Sequence, residues 1–303
     1  MSETIVLNYG SLNIDYVYRV DHVTRPGETI SSRSLQVFAG GKGANQTVAL
    51  AKAGARAWHA GKIGQNARWL VDRLSALGVD TQYVRQTDEP TGHAVIQVDA
   101  SGENAIFLFP GTNRQQARTE IDETLAAVPG KSLVLLQNEI NEVPYTMQQA
   151  RQRGHRICFN PAPYEPAIRQ YPLDLVDVLV VNEIEGQGLS GKTEPDDILS
   201  ALAGSLPRCD IVLTLGEHGV LHRSSGETTR VPAVKTRVVD TTAAGDTFIG
   251  YYLAAYVRGE PVRACLETAC KAAAICVSRP GASDSIPSRD EVNAWRPEQE
   301  TPR

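Results

Sequence analysis

Short apolar runs that alternate with helical segments constrain the fold of this chain more than any other feature. Five runs have the length and aliphatic content of buried strands: "TIVLNYG" (4–10), "SLVLLQ" (132–137), "RICFN" (156–160), "VDVLVVN" (176–182) and "DIVLTLG" (210–216). Segments between them, such as "EVPYTMQQARQRG" (142–154) and "PDDILSALAGSL" (195–206), have helical spacing. This order predicts an α/β fold with a mostly parallel central sheet and helices on both faces.

One region departs from this order. "HAVIQVDASGENAIFLF" (93–109) alternates around an Asp-Ala-Ser-Gly turn and predicts an antiparallel hairpin. With "YVYRV" (16–20) and "SLQVF" (34–38) it can form a small antiparallel sheet outside the main one, contributed by about 12–38 and 92–110. Apolar side chains on such a sheet would face outward, which favours a lid, a dimer contact or both. An ordinary edge of the main sheet is the alternative.

Composition and charge exclude several classes of protein. The chain of 303 residues has a formal net charge of −5, which offers no field to attract nucleic acid. No run approaches the roughly 18 apolar residues of a membrane span, and the first residues lack a basic, apolar leader. We therefore expect one domain over 1–303, a cytoplasmic location and a small-molecule ligand.

The cysteines argue against a disulfide framework and against a structural metal. None forms a Cys-x-x-Cys pair or has histidines at zinc spacing, so they are expected to be buried thiols. They are Cys158, Cys209, Cys265, Cys270 and Cys276.

Two glycine-rich stretches resemble nucleotide-binding motifs. "GQGLSGKT" (186–193) matches the P-loop pattern through Gly186, Gly191, Lys192 and Thr193. However, "NEIE" separates it from the preceding strand, and "EPDD" places three carboxylates where a triphosphate would lie. "GGKGANQ" (40–46) resembles a dinucleotide fingerprint, but Gln46 occupies the third glycine position. Neither motif is favoured.

The stretch "VVDTTAAGDTF" (238–248) makes better chemical sense. The first turn of a helix has N–H groups without intrahelical partners and a partial positive charge, so it can hold an anion. Ala243, Ala244 and Gly245 leave that approach open, and Asp246 could take a proton from an attacking hydroxyl. The combination predicts phosphoryl transfer. The alternative is that Asp246 only complements the helix dipole.

Two stretches resemble the signatures of the ribokinase family of carbohydrate kinases. "DTTAAGDTFIG" (240–250) resembles the C-terminal signature, and "GGKGANQTVALAKAG" continuing to Gly64 resembles the N-terminal one. "GSLNIDYVYRV", "NPAP", "VNEIE" and "LTLGEHGV" also have counterparts in order, so the resemblance covers essentially the whole chain. It implies a ribokinase-like fold with a β lid and an ATP-dependent sugar kinase that converts D-ribose to D-ribose 5-phosphate.

The resemblance also implies roles for individual residues. Asp246 matches the catalytic base, and the amides of Ala243, Ala244 and Gly245 match the anion hole that stabilises the transferring phosphoryl group. Asn182 and Glu185 match an Asn-x-x-Glu motif at the magnesium and phosphate end, with Glu185 near Mg²⁺. A plain helix cap is the alternative for this pair.

Further matches define two subsites. The residues that match the sugar contacts are Asn13, Asp15, Gly41, Lys42, Asn45, Glu139 and Asp246. The residues that match the nucleotide contacts are Asn182, Thr214, Gly216, Gly219, Gly245 and Cys270. Because a wrong sugar would leave these polar groups unpaired, the matches favour ribose over ketohexoses and nucleosides.

A monovalent-cation site is implied beside the anion hole. The matching residues are Asp240, Thr242, Cys276, Arg279, Gly281 and Ser285, mostly through backbone carbonyls. The resemblance thus implies ATP as phosphoryl donor, Mg²⁺ as cofactor and K⁺ as activator. It also implies a homodimer through the β lid.

Two departures from the family bear on specificity. In "GQNARWL" (64–70) the usual Gly-x-Asp-x-x-Gly is lost; we expect Asn66 to cap the following helix, and Trp69 to affect sugar access. Cys270 stands beside the adenine where His or Asn is common. The alternatives are a kinase for 2-deoxyribose, another sugar or a nucleoside, and a sugar-binding protein without turnover.

Overall fold

A computed structural model describes residues 4–296, in which the chain forms thirteen strands and nine α-helices. The strands are β1 (Val6–Tyr9), β2 (Asn13–Arg19), β3 (Ser34–Gly40), β4 (Ala57–Gly64), β5 (Asp80–Thr87), β6 (Gly92–Val98), β7 (Asn104–Phe109), β8 (Leu133–Gln137), β9 (Arg156–Asn160), β10 (Val178–Asn182), β11 (Asp210–Thr214), β12 (Val220–Ser224) and β13 (Glu227–Val231). The helices are α1 (Lys42–Lys52), α2 (Arg68–Ala76), α3 (Arg118–Ala127), α4 (Val143–Gln152), α5 (Glu183–Ser190), α6 (Pro195–Ser205), α7 (Ala244–Val257), α8 (Val262–Val277) and α9 (Arg289–Ala294).

Nine strands form the large sheet, in the order β13-β12-β11-β10-β9-β8-β1-β4-β5. All neighbouring pairs are parallel except β11 with β12 and β12 with β13. The mostly parallel sheet is therefore as predicted, and its five central strands are the five apolar runs of the sequence. Strands β4, β5, β12 and β13 lie toward the two edges and were not predicted.

The central strands are apolar on both sides, so each side of the sheet has its own core. Val6, Leu133 and Leu135 belong to one core, whereas Leu7 and Val134 belong to the other. This alternation is the period-two pattern of a strand covered on both faces. Helices α1, α2, α7, α8 and α9 cover the first face, and α3, α4, α5 and α6 cover the second, which confirms the predicted layering.

A second sheet of four strands, here called the lid sheet, has the order β3-β2-β6-β7. β6 and β7 form the predicted antiparallel hairpin, and β2 pairs antiparallel with β3. β2 and β6 pair in parallel, with Asp15 opposite Ala94, and this pairing joins the two predicted segments. The lid sheet exposes a set of large apolar side chains, each between 43% and 62% exposed: Leu35, Val37, Ile106, Phe107, Leu108 and Phe109.

The stretch around Asn66 differs from the expectation that this side chain caps a helix. A short 3-10 turn, Gln65–Ala67, precedes α2, and Ala67 stands at the cap position without a side-chain hydrogen bond. Asn66 instead accepts a hydrogen bond at Oδ1 from Thr91 Oγ1 at 3.1 Å. The capping prediction is wrong because the turn before β6 supplies a partner for Asn66. Trp69 is half-buried and packs against the first core.

The five cysteines are buried free thiols, as expected. Between residues 4 and 296, no three His, Cys, Asp or Glu side chains gather as a metal cluster. Within the same range, every helix is too short or too polar to cross a membrane.

The P-loop-like stretch forms no phosphate-binding loop. Gly186 lies inside α5, which begins at Glu183 directly after β10, and Gly191 ends that helix at φ 71°. Lys192 follows on the surface.

Candidate active site

Polar residues, most of them predicted from the sequence, gather at the carboxyl edge of the large sheet. Asn160, Asn182 and Thr214 are the last residues of β9, β10 and β11, and Glu139 follows β8 by two residues. Asn182 and Thr214 are opposite each other in the pairing of their strands. In open parallel sheets this edge is where ligands bind.

The N-terminus of α7 is open at Gly245, whereas the N–H of Ala244 donates to the Thr241 carbonyl at 3.2 Å. Ala243 precedes the helix in the left-handed conformation at φ 60°, and its side chain makes no cap hydrogen bond. Within residues 4–296 the N–H groups of Gly245 and Asp246 donate no hydrogen bond, and a Cβ atom on Gly245 would meet no atom within 4 Å. The left-handed conformation is costly for an alanine such as Ala243, and backbone strain of this kind is concentrated at functional sites.

Asp246, the third residue of α7, is only 7% exposed. Its Oδ1 accepts a hydrogen bond from Gln46 Nε2 at 2.9 Å, and its Oδ2 accepts one from Asn45 Nδ2 at 3.2 Å. The charge of Asp246 is the main cause that raises the pKa of Lys42, because it outweighs the opposing effect of burial. The carboxylate therefore lies beside a charged ammonium group.

The glycine-rich start of α1 brings Lys42 to Glu139. Gly41 has φ 91° and stands at the cap position of α1, and the backbone N–H of Lys42 donates to Glu139 Oε2 at 2.8 Å. Ser11 Oγ donates to the same oxygen and accepts from the Gly43 N–H at 3.0 Å. The loop after β1, the start of α1 and the loop after β8 are thereby joined at one carboxylate.

The lid sheet contributes Asn13 and Asp15 to this cluster. Asn113 Nδ2 donates to Asn13 Oδ1 at 2.7 Å, and Asn113 Oδ1 accepts from the Leu12 N–H at 3.0 Å. Gly40 leaves room for Asp15, since a Cβ atom at Gly40 would come within 2.1 Å of its carboxylate. The buried Oδ1 of Asn45 has no hydrogen-bond partner within residues 4–296, as expected of an acceptor that faces a polar ligand.

The carboxyl groups of this cluster are held in a poorly solvated space. Burial, together with the charge of Glu139, raises the pKa of Asp15 to about 6. Burial is also the main cause that raises the pKa of Glu139 and that of Glu185. Perturbed carboxyl groups that share one cleft are typical of a functional site.

Asn182 and Glu185 form a capping box at the start of α5, so the structural alternative for this pair is realised. Glu185 accepts from the Asn182 N–H at 3.0 Å and from Asn182 Nδ2 at 3.0 Å, while its own N–H donates to Asn182 Oδ1 at 2.9 Å. Asn160 Nδ2 donates to Glu185 at 3.3 Å. Because both carboxylate oxygens are engaged, the pair suits Mg²⁺ that is held through water and carried mainly by phosphates.

Of the predicted nucleotide residues, Thr214 is paired with Asn182 and leads into the loop that holds Gly216 and Gly219. Gly216 has φ 52°, and a Cβ atom there would meet open space, so its backbone is accessible. Gly219 has φ 94° and packs against the backbone of Val231, where a Cβ atom would approach to 2.2 Å. Gly219 is therefore also required for the packing of this loop against β13. Cys270 lies buried on α8, and burial raises its pKa to about 12.

The two loops predicted to hold a monovalent cation are joined to each other. Asp240 accepts at Oδ1 from the Thr242 N–H at 2.9 Å and at Oδ2 from the Gly281 N–H at 3.0 Å. Burial raises the pKa of Asp240, but these hydrogen bonds outweigh it and leave the pKa lowered. Cys276 Sγ lies 3.0 Å from Ser285 Oγ and 3.7 Å from the Thr242 carbonyl. Carbonyl-rich loops around a carboxylate suit a hard cation.

The side chain of Arg279 bonds outside the two loops that are predicted to hold a cation. The guanidinium of Arg279 forms an ion pair with Glu291 at 2.7 Å. The backbone N–H of Arg279 donates to the Cys276 carbonyl at 3.2 Å.

Comparisons with known proteins define the class. Residues 4–289 match the model of the pfkB family carbohydrate kinases. The chain is 33% identical to the ribokinase of Haemophilus influenzae, covering 93% of this chain and 95% of that one. It is 30% identical to the deoxyribokinase of Salmonella typhi, covering 94% and 96%. The structure of Arabidopsis thaliana ribokinase complexed with ribose and ATP is similar, with TM-score 0.84, 30% identity, and coverage of 97% and 98%.

The chain therefore belongs to the pfkB family of carbohydrate kinases, with ribokinases among its relatives. The family resemblance drawn from the two glycine-rich signatures is confirmed.

Four residues at the site were not predicted from the sequence: Ser11, Gln46, Asn113 and Asn160. Each is a polar side chain with at most 6% exposure. The available signal was position, since Ser11 follows β1 by two residues, Asn160 ends β9, and Gln46 lies one turn into α1.

Proposed function

We propose that this protein is a ribokinase, which transfers the γ-phosphoryl group of ATP to the 5-hydroxyl of D-ribose. The observation that carries the proposal is the position of Asp246, a buried carboxylate one residue after the unpaired Gly245 amide. A base and an anion-binding N-terminus at this spacing are what in-line phosphoryl transfer requires.

In the proposed reaction the 5-hydroxyl oxygen attacks the γ-phosphorus, and the bond from that phosphorus to the bridging oxygen of ADP breaks. Asp246 accepts the proton of the hydroxyl through Oδ2, the oxygen on the side of Asn45. The amides of 243–245 are proposed to bind the transferring phosphoryl group, with the Ala244 N–H exchanging the Thr241 carbonyl for a phosphoryl oxygen. Lys42, whose ammonium lies close to Asp246, adds positive charge there.

Magnesium, when bound, would neutralise phosphate charge, with Glu185 and Asn182 holding it through water. The residues proposed to bind the nucleotide are Asn182, Thr214, Gly216, Gly219, Gly245 and Cys270. At the cation loops, Asp240, Thr242, Cys276, Gly281 and Ser285 are proposed to hold K⁺, while Arg279 contributes through its backbone.

Ribose is the proposed sugar because the polar groups that would bracket a pentose are all present. They are Asn13, Asp15, the amides of Gly41 and Lys42, Asn45 and Glu139. A sugar that lacks one hydroxyl leaves a buried partner unpaired, which discriminates strongly. The relative crystallised with ribose and ATP supports the same choice.

A kinase for 2-deoxyribose is the second candidate, because a deoxyribokinase is a relative at 30% identity. Phosphorylation of another sugar or of a nucleoside is also compatible with the fold. A sugar-binding protein without turnover is disfavoured by the buried Asp246 and the open N-terminus of α7.

The exposed apolar side chains of the lid sheet support a homodimer through that sheet. We further propose that residues 1–303 act as one domain in the cytoplasm, with no nucleic-acid or membrane partner.

The proposal is tested by ADP release with MgATP across D-ribose, 2-deoxyribose, fructose, other aldoses and nucleosides, with and without potassium. We expect turnover with ribose, stimulation by potassium and loss of activity in Asp246→Asn. Turnover with 2-deoxyribose but not ribose would select the second candidate, and binding without ADP release would contradict catalysis. Lys192→Ala should leave activity unchanged. Loss of activity in this variant would revive the P-loop hypothesis.

A further inference from the structure

Gln46 occupies a site that neither the sugar contacts nor the nucleotide contacts require. Its side chain is fully buried on α1, where an amide without partners would be strongly unfavourable. Its Nε2 donates to Asp246 Oδ1 at 2.9 Å and to Asn160 Oδ1 at 3.2 Å. Its Oε1 accepts from Gln137 Nε2 at 2.6 Å.

These partners fix the orientation of the Gln46 amide. A flipped amide would point Oε1 at the Asp246 carboxylate and at the Asn160 carbonyl oxygen, and both of those atoms are acceptors. The neighbours are themselves fixed: Gln137 Nε2 also donates to Asn8 Oδ1 at 3.0 Å, and Asn160 Nδ2 donates to the Val180 carbonyl at 3.0 Å.

The same contacts link the two ends of the site. Asn160 connects Gln46 to Glu185, so hydrogen bonds run from Asp246 through Gln46 and Asn160 to Glu185. The four residues come from α7, α1, β9 and α5, and are here called the amide network. Gln46 engages Asp246 Oδ1 at 2.9 Å, whereas Oδ2 accepts the longer bond from Asn45 at 3.2 Å, so Oδ2 is the less firmly held oxygen and the one assigned to accept a substrate proton.

We propose that Gln46 is a positioning residue for phosphoryl transfer, which holds Asp246 through Oδ1 and thereby presents Oδ2 to the attacking hydroxyl. This inference rests on the proposed role of Asp246 as the general base. Gln46 does not touch the sugar or the nucleotide in this scheme. Its loss should therefore lower kcat and leave the KM values for sugar and ATP nearly unchanged.

The first test is Gln46→Met, which keeps length and volume but removes both hydrogen-bond donors. We expect kcat to fall about 10- to 100-fold, as for a misplaced catalytic group, with both KM values changed less than about threefold. Gln116→Met is the matched control, since the Gln116 side chain is also buried but donates to the Thr112 carbonyl, at 3.4 Å, instead of to Asp246.

A second variant keeps the proposal testable if Gln46→Met does not fold. Gln46→Glu is isosteric and places a carboxyl group against Asp246. When the new carboxyl group is protonated, it can donate a hydrogen bond to Asp246. When it is ionised, its negative charge repels the Asp246 carboxylate. We therefore expect Gln46→Glu to have its activity maximum at lower pH than the wild type, a displacement that loss of packing alone would not produce.

The outcomes separate this inference from the proposed function. A wild-type kcat in Gln46→Met, or an unchanged pH optimum in Gln46→Glu, would overturn the inference while Asp246→Asn remained inactive. Full activity of Asp246→Asn would instead overturn the role of Asp246 as the base. A raised KM with an unchanged kcat in Gln46→Met would show that Gln46 acts on binding and would also overturn the positioning role.

Discussion

Asp15 on β2 and Glu139 beyond β8 form a pair of mostly buried like charges, in which the charge of Glu139 adds to burial in raising the pKa of Asp15 to about 6. Asp15 belongs to the lid sheet, whereas Glu139 belongs to a loop of the large sheet. A hydroxyl-rich ligand between the two sheets would donate hydrogen bonds to both carboxylates. The pair therefore links pH, sugar binding and stability.

Sugar binding should weaken as the pH falls through about 6. Above this pH Asp15 is ionised in the free protein and accepts sugar hydroxyls well; below it the carboxyl group is neutral and accepts less strongly. We expect kcat/KM for ribose at saturating MgATP to decline below pH 6. Asp15→Asn should lower kcat/KM and remove this decline, whereas Glu103→Gln, in the exposed turn between β6 and β7, should retain it. A decline that persists in Asp15→Asn would assign the titration to another group.

Ionisation of Asp15 should lower the free energy of unfolding at neutral and alkaline pH. Its folded pKa of about 6 exceeds the ordinary value of 3.8, so its contribution is favourable at low pH and is lost as the pH rises through about 6. A displacement of this size corresponds to about 3 kcal/mol when Asp15 is fully ionised. We expect Asp15→Asn to raise the free energy of unfolding by up to about that amount at pH 8.

Near pH 4 the gain from Asp15→Asn should vanish, because the carboxyl group is then neutral in the folded protein. Asp72→Asn, at an exposed position on α2, provides the control and should change stability little at either pH. Urea unfolding at both pH values measures the difference. An equal effect of Asp15→Asn at both pH values would point to packing instead of ionisation.

A side chain at position 245 should block the anion site without disturbing the fold. A Cβ atom at Gly245 has open space around it, and the same holds for Gly204 on α6. We expect Gly245→Val to lower kcat about 100-fold, because its side chain occupies the approach to the amides, while the thermal midpoint stays near that of Gly204→Val. Gly204→Val itself should retain full activity. Normal turnover in Gly245→Val would contradict the anion hole.

A charge on the outer lid sheet should disrupt the proposed dimer. Phe107 is 62% exposed, and Leu77, at the end of α2, is an apolar residue that is 37% exposed but lies away from the lid sheet. We expect Phe107→Lys to sediment as a monomer and Leu77→Lys to sediment as the wild type does, because only the first places a charge in an apolar interface. A wild-type protein that sediments as a monomer would exclude the dimer.

The central strands and the start of α7 could be predicted from the sequence because each depends on local pattern. Strands such as β10, "VLVVN", are continuous apolar runs, and the small residues before Asp246 mark a helix N-terminus directly. Strand β4, "AWHAGKIG", was missed because it buries His59 and Lys62. Lys62 forms an ion pair with Glu120 that no local pattern reveals.

The amide network could not be predicted for a related reason. Gln46 looks like an ordinary polar residue of an amphipathic helix, and its partners Gln137, Asn160 and Asp246 lie far from it in the chain. For Asn66 the local pattern predicted a helix cap, but the side chain accepts a hydrogen bond from Thr91 instead. In both cases a hydrogen bond between distant segments decided where a polar side chain points.

Strand β1 lies between β4 and β8, although it precedes both in the chain. During synthesis β4 can pair with one edge of β1 early, but the other edge has no partner until Leu133–Gln137 has left the ribosome. Until then the nascent chain presents the unpaired backbone of an apolar strand, which is a template for association with other chains. β1, an interior strand third from the β5 edge of the finished sheet, is thus the strand that waits longest for its second partner while the protein is being made.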